Sequence, residues 1–264
     1  MNDYQSLSQS KIDGHREDSN IVFLFGKHPV FNAISSGRRK IFSILATQNS
    51  LPELKNFLKH SSLARLESII QITDNNKIES LLGRGQIHQG LVVKCSTLAI
   101  GSQDDLFAEL NSTNHDTLPP LLILDQISDP HNIGAIIRSA SAFNVKKIIF
   151  SKHHSPRENA TIAKASAGTI DSVDMIVVTN LSTLMEKLKK IGYWCVGLDS
   201  SGTASLQQIK DYKNIALIVG SEGDGIRDLV KKNCDLLAKI SINKEVESLN
   251  ASVATAIALY ELNK

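Results

Sequence analysis

Three segments of this 264-residue chain combine residue types that can do chemistry with the turns and caps that would place them. The first is DPHNIGAIIRSA (Asp129–Ala140): Asp129-Pro130 makes a turn, a helix starts near Asn132, and Arg138 lies about one and a half turns into it. Alone, Arg138 reads first as a surface arginine snorkelling to solvent. The small residues Gly134, Ala135, Ser139 and Ala140 around it admit another chain segment closely. The second is LIVGSEGDGIR (Leu217–Arg227), a strand, a glycine-rich turn and a helix start. Glycines there let a ligand approach the backbone, and helix-N-terminal N–H groups can meet an anion. A dinucleotide fingerprint is a weak match, because Gly220, Gly223 and Gly225 are spaced G-x-x-G-x-G and occur late in the alternation. Glu222 and Asp224 would repel a pyrophosphate, and suit a hydroxyl-bearing or cationic partner or a neighbouring arginine. The third is SLNASVATAIALYE (Ser248–Glu261), an unusually slim helix with Ala251, Ser252, Ala254, Thr255, Ala256 and Ala258. Ser248 reads as a possible N-terminal cap, and Asn250 either orients a ligand hydroxyl or satisfies local backbone.

The elements that must hold these segments follow from apolar periodicity. After Pro120, short apolar runs at Leu121–Asp125, Lys147–Ser151, Met175–Thr179, Tyr193–Asp199, Ile215–Ser221 and Leu236–Ile242 read as strands covered on both faces. Helical stretches separate most of them, at Ile133–Phe143, Thr161–Ala167, Leu181–Ile191 and Ile226–Asn233, and Asn250–Leu262 comes last. Such alternation predicts an α/β fold with a parallel sheet, and ligands then bind beyond the carboxyl ends of the strands. All three segments begin there. Before Pro120, strands at Ile41–Ala46, Ile69–Ile72 and Gly90–Cys95 alternate with helices at Leu51–His60 and Lys77–Leu82, which suits a small α/β domain. The organisation expected is a polar, disordered leader over 1–20, a small domain over 21–96, a linker over 97–120 with a short helix near Asp104–Leu110, and a larger domain over 121–264.

Composition narrows the classes. No apolar run is long enough for a membrane span, and the polar start lacks the core of a secretory signal. Cys95, Cys195 and Cys234 are odd in number, far apart and without metal-ligand spacing, so a reducing, cytoplasmic-type compartment is expected. The paired His153-His154 lacks nearby cysteine or carboxylate spacing and reads as a solvated loop. A net charge of +2 does not mark a nucleic-acid binder, but its distribution is uneven: residues 1–98 hold 12 Lys/Arg against 8 Asp/Glu, the remainder 17 against 19. If a polyanion is the partner, the N-terminal part is better suited to meet it.

In order, and each after a strand, the three segments closely resemble the three motifs of the SpoU family of RNA ribose 2′-O-methyltransferases, within the SPOUT class. The match is N-x-G-x-x-x-R at Asn132, Gly134 and Arg138, G-S-E-G-x-G at Gly220 to Gly225, and S-L-N-x-S-x-A at Ser248 to Ala254. FGKHPVFNAI (Phe25–Ile34) and IHQGLVV (Ile87–Val93) are similar to the ends of the family's small substrate-binding domain, an L30e/L7Ae-like RNA-binding fold; His28 and His88 within them are assigned no catalysis. The resemblance implies a C-terminal segment tied into a deep trefoil knot, which connection rules would not suggest. It also implies a homodimer through the slim terminal helix.

By the same resemblance the cofactor is S-adenosylmethionine, leaving as S-adenosylhomocysteine, bent in the knot and held mainly by backbone at Gly220, Ile240 and Leu249, with Leu198 a further candidate. Arg138 matches the catalytic arginine, and Asn132, Glu222, Ser248 and Asn250 would orient it and the ribose; no metal is required. A guanidinium is a poor base, so fixing the adjacent phosphate and polarising the hydroxyl is as reasonable a role for Arg138 as proton removal. The small N-terminal domain favours a guanosine of large-subunit ribosomal RNA. The alternatives are 2′-O-methylation of tRNA and an RNA-binding relative without catalysis.

Overall fold

The computed structural model describes residues 20–113, 118–152, 156, 158–243 and 245–263. The expected leader falls almost entirely outside these residues, and so does His153-His154. Two units divide the chain, and the division is not sequential: one comprises the residues up to Leu98 together with Glu158–Asp171, the other Ala99–Arg157 and Ser172–Lys264.

The first unit holds a four-stranded sheet of β1 (Ile21–Phe25), β2 (Ile41–Thr47), β3 (Ile70–Thr73) and β4 (Leu91–Ser96) in the order β1-β4-β2-β3. β4 runs antiparallel to both neighbours, whereas β2 and β3 are parallel. The helices Lys27–Ser35 and Leu51–His60 bury Val30, Ala33, Ile34, Leu54 and Leu58. Lys27–Ser35 is thus a helix where the sequence marks only a motif. Asp74 caps the helix Asn75–Leu82, accepting from Lys77 N at 2.8 Å.

The segment Glu158–Asp171 is fastened into this unit by a buried charged cluster. The Arg39 side chain, fully buried, meets Asp171 Oδ1 through Nε at 2.6 Å and Glu158 Oε1 through Nη2 at 2.6 Å. Its Nη1 donates to Ser96 O, and Leu98 N donates to Glu158 Oε2 at 2.8 Å. A buried guanidinium must be matched in this way, because unpaired charge away from water is strongly unfavourable. Close packing completes the joint: a Cβ on Gly168 would lie 2.8 Å from His28 O and 2.7 Å from Asn32 Nδ2.

The second unit is an eight-stranded sheet of β5 (Gly101–Ser102), β6 (Leu121–Asp125), β7 (Lys147–Ser151), β8 (Asp174–Val178), β9 (Trp194–Leu198), β10 (Ala204–Ser205), β11 (Ile215–Gly220) and β12 (Leu236–Lys239). Its order is β10-β12-β9-β11-β6-β7-β8-β5, and every pairing is parallel. β6, β7 and β11 are buried at every residue, as expected for strands covered on both faces. Leu121 and Ile123 join Leu106, Leu110, Leu184 and Leu188 in one core cluster. The helix Pro130–Ala142 packs against the last helix, Ala251–Leu262. The stretch 97–120, expected as linker, is structured in its middle. β5 extends the sheet beside β8, and the helix Gln103–Asn111, held by a Ser102/Asp105 capping box, buries Leu106 and Leu110. Two apolar anchors at i and i+4 on a capped helix explain why it docks.

Candidate active site

The carboxyl ends of β6 and β11 lie side by side at the centre of the parallel sheet, with Gly220 opposite Asp125 as their last pair. Sequence-adjacent β7 flanks β6 on one side and distant β11 on the other, so the order reverses here, where open α/β sheets bind ligands.

After β6 the chain turns into the helix Pro130–Ala142. Asp129 caps it, accepting from His131 N and Asn132 N, and Pro130 occupies the first turn, where its missing N–H is no loss. Ile133, Ile136, Ile137 and Ala140 face the core, which leaves Asn132 half-buried at the start and Arg138 exposed.

After β11 the turn Gly220–Gly225 closes on itself. Ser221 N donates to Gly225 O at 3.2 Å, and Gly225 N returns to Ser221 O at 3.0 Å. A Cβ on Gly220 would sit 2.1 Å from Gly225 C, so only glycine fits beneath the loop. This closure presents Glu222 outward. Its Oε1 accepts from Asn132 Nδ2 at 3.0 Å, from Asn250 Nδ2, and from Ala251 N at 3.3 Å. Asn250 Nδ2 also reaches Asn132 Oδ1 at 2.9 Å. Residues up to 118 positions apart thus form one hydrogen-bonded junction, because parallel strands deliver all their carboxyl ends to the same edge.

Asn250, not Ser248, caps the last helix: its Oδ1 accepts from Ser252 N at 2.9 Å and Val253 N at 3.3 Å. The Asn250 amide therefore has two jobs, its oxygen holding the helix and its nitrogen holding Glu222. Ser248 is exposed two residues upstream. Among the described residues neither the Ser248 nor the Arg138 side chain is bonded to the junction; Arg138 lies six residues beyond Asn132 on the same helix.

One pair escaped the sequence reading. Asp125, wholly buried at the end of β6, accepts from Arg227 N at 2.9 Å and Arg227 Nε at 2.8 Å, with Nη2 at 2.7 Å. An acid closing the apolar run LLILD was the available signal, since a buried carboxylate requires a partner. The pair ties the chain after the glycine turn to the neighbouring strand end.

The four residues expected to hold cofactor fall along the same edge. Leu198 ends β9, Gly220 ends β11, and Ile240 follows β12, with β9 lying between the other two strands. Leu249 directly precedes Asn250, and Leu198, Ile240 and Leu249 are each half-buried. Ser221 Oγ is buried there without a hydrogen-bond partner among the described residues. Half-buried apolar residues beside an unanswered hydroxyl suit a nucleoside-bearing ligand recognised by backbone and a few polar groups. Burial pushes the Cys95, Cys195 and Cys234 thiols each up to about 12, so all three stay protonated at neutral pH and none is a ready nucleophile. Among the described residues no helix is long and apolar enough to cross a membrane.

Comparison with known proteins assigns this architecture. Residues 119–260 match the model of the SpoU rRNA methylase family, and residues 23–100 match that of the RNA 2′-O ribose methyltransferase substrate-binding domain. The 23S rRNA (guanosine-2′-O-)-methyltransferase RlmB of Coxiella burnetii is 33% identical over 93% of this chain and 96% of its own. RlmB of Xanthomonas campestris is 39% identical over 67% of this chain and 71% of its own. Among solved structures, the SpoU methyltransferase AviRb of Streptomyces viridochromogenes in complex with AdoMet superposes with a TM-score of 0.74 at 22% identity, covering 97% of this chain and 94% of its own. The chain belongs to the SpoU rRNA methylase family.

Proposed function

We propose that this chain methylates a ribose 2′-hydroxyl of RNA with S-adenosylmethionine, and that its substrate is a guanosine of large-subunit ribosomal RNA. The observation that carries this reading is the junction of Asn132, Glu222 and Asn250, in which all three motifs meet at one sheet edge. The names of the RlmB relatives support the choice of guanosine and of 23S rRNA.

When bound, S-adenosylmethionine supplies a methyl group already activated by its sulfonium. The chain's part is to align a ribose hydroxyl in line with that methyl and to assist loss of its proton. Leu198, Gly220, Ile240 and Leu249 would hold the cofactor along the strand ends, with Ser221 Oγ a further polar contact. Glu222 fixes the two asparagine amides, so the ribose meets pre-oriented groups rather than mobile ones. Arg138, exposed on its helix, takes the adjacent phosphate and polarises the hydroxyl, and Ser248 stands at the entrance to the third motif. Residues 21–96 serve RNA binding and the knotted segment of 121–264 serves the cofactor, with no metal. The proposed substrate places the chain in the cytoplasm.

Assembly as a homodimer belongs to the same reading. On the last helix Val253, Ile257 and Tyr260 are 46%, 39% and 54% exposed, an apolar stripe at i, i+4 and i+7 opposite the buried Ala251, Ala258 and Leu259.

The test is to incubate the purified chain with total bacterial RNA and methyl-labelled S-adenosylmethionine, then to digest the size-separated RNA. Label in 2′-O-methylguanosine of the large ribosomal RNA is expected. Label confined to tRNA would redirect the substrate, and RNA without label would refute the reading.

A further inference from the structure

We infer that one row of the first unit's sheet is a stacking platform for single-stranded RNA, built from Phe23 and Phe42 with Lys94, Lys40 and Lys164 around them. The inference rests on the proposed RNA substrate and names the surface and the strandedness it selects.

The row follows from register. Phe23 and Phe25 alternate along β1 and so share a face, and Lys94 is the partner of Phe23 while Val92 is the partner of Phe25. On the far side of β4, Ser43 of β2 is also paired with Lys94, and the register shifts between Ile41 and Ser43. Phe42 is the extra residue of that bulge, so Phe42 and Ser43 together oppose Lys94. The helix Asn75–Leu82 and Ala160 of the fastened segment cover the end of the face at Phe25: Val92 is wholly buried in a cluster with Ile78 and Phe25, and Phe23 packs against the edge of that cluster. One row along, Phe23, Lys94 and Ser43 are only half-buried, and Phe42 is 36% exposed.

A cation covers each ring. Lys94 Nζ stands 5.9 Å from the centre of Phe23, Lys40 Nζ 5.4 Å from Phe42, and Lys164 Nζ, from the fastened segment, 5.5 Å from Phe25. None of these lysines is in an ion pair among the described residues. Residues 20–98 and 158–171 together carry 11 Lys/Arg against 6 Asp/Glu. An exposed cation–π contact is weaker than stacking of a base on an aromatic ring. An incoming base can therefore displace the ammonium group from the ring, and the freed lysine turns to the neighbouring phosphate. Bases held in a duplex hide their faces, so the platform selects unpaired nucleotides.

The test uses the full chain with a labelled oligouridine and, separately, a short RNA duplex. Phe42→Leu and Phe23→Leu keep the apolar cover and remove the ring. Each should weaken oligouridine binding roughly 5- to 100-fold, and Phe42→Trp should retain it. Replacing Lys40, Lys94 and Lys164 by Gln should flatten the salt dependence of log affinity by about 2, at about 0.7 per phosphate contact. Unfolding midpoints measured alongside separate binding from folding. If Phe23→Leu does not fold, Phe42→Leu, at an exposed bulge, decides alone. Unchanged oligouridine binding in Phe42→Leu overturns the platform, and so does equal dependence of duplex binding on the rings. Methyl transfer by the parent chain is scored separately. A parent that stacks oligouridine but methylates no RNA refutes the proposed function and leaves the platform standing; an active parent with indifferent ring variants refutes the platform alone.

Discussion

The two units concentrate function in opposite ways. In the second, an all-parallel sheet brings every strand's carboxyl end to one edge. A single carboxylate oxygen of Glu222 gathers the Asn132 and Asn250 side chains and the Ala251 N–H, so that three distant segments meet at one atom. In the first, a mixed sheet spreads rings and lysines over a face, while its charged cluster is buried and serves cohesion. The charge balance divides likewise, 11 Lys/Arg against 6 Asp/Glu in the first unit and 16 against 17 in the second, counting the first from residue 20. A point-like site should fail abruptly under single substitutions. A distributed surface should weaken by degrees.

The sharpest break is expected at Arg138. Arg138→Ala should lower turnover by about 10²–10⁴-fold and leave the affinity for S-adenosylmethionine, measured by calorimetry, close to that of the parent. Arg138→Lys separates the roles: a largely recovered rate points to charge alone, and a rate as low as alanine's to the planar fork. A folded Arg138→Ala chain working at the parent rate would remove this arginine from the site.

Arg39→Met asks whether cohesion of the first unit rests on its buried cluster. Glu158 and Asp171 would be left buried without their cation, and breaking such a cluster by removing one partner costs about 3–5 kcal/mol. The burial that would lower the Arg39 pKa is more than offset by Asp171 and Glu158, which raise it, so the guanidinium stays charged at any pH the fold survives. The denaturant midpoint should fall sharply; an unmoved midpoint would mean that water already serves the cluster.

Glu222→Ala should reduce turnover by about 10²-fold through misplacement of Asn132 and Asn250, with little change in stability because Glu222 is exposed. The opposite pattern, lost stability with full turnover, would make the junction a clasp and not a site. The smallest effect concerns the thiols. Held near 12 by burial, Cys95, Cys195 and Cys234 should react with a thiol reagent at neutral pH far more slowly in the native chain than in denaturant. Fast native labelling would show that a core opens readily.

The legible parts of this molecule are those governed by local pattern. The run Leu121–Asp125 and the helix Leu51–His60 fall where apolar periodicity placed them, and Asn132, Glu222 and Asn250 meet as their positions after strands implied. What escaped depends on distance. β5 and β10 are two residues long and carry no period. Ser248 and Asn250 are both good caps by type, and the choice of Asn250 is coupled to a bond with Glu222, 28 residues away. Asp125 with Arg227, 102 residues apart, and Arg39 with Asp171, 132 apart, are pairings that only the folded chain discloses.

The fastening of Glu158–Asp171 into the first unit bears on the order of events during synthesis. Arg39 is made early, but both its carboxylate partners lie beyond the strands β6 and β7 of the other unit. When Leu98 has been added, about 70 residues remain before Asp171, and at roughly 5–20 residues per second the interval is about 4–15 s. Through that interval the nascent sheet cannot bury Arg39 against its final partners, and the guanidinium must remain hydrated. Completion of the first unit is thereby delayed until Ala99–Arg157 of the second has been translated, so the early-made N-terminal sheet waits on a late segment, although Ser172–Lys264 of the second unit is made later still.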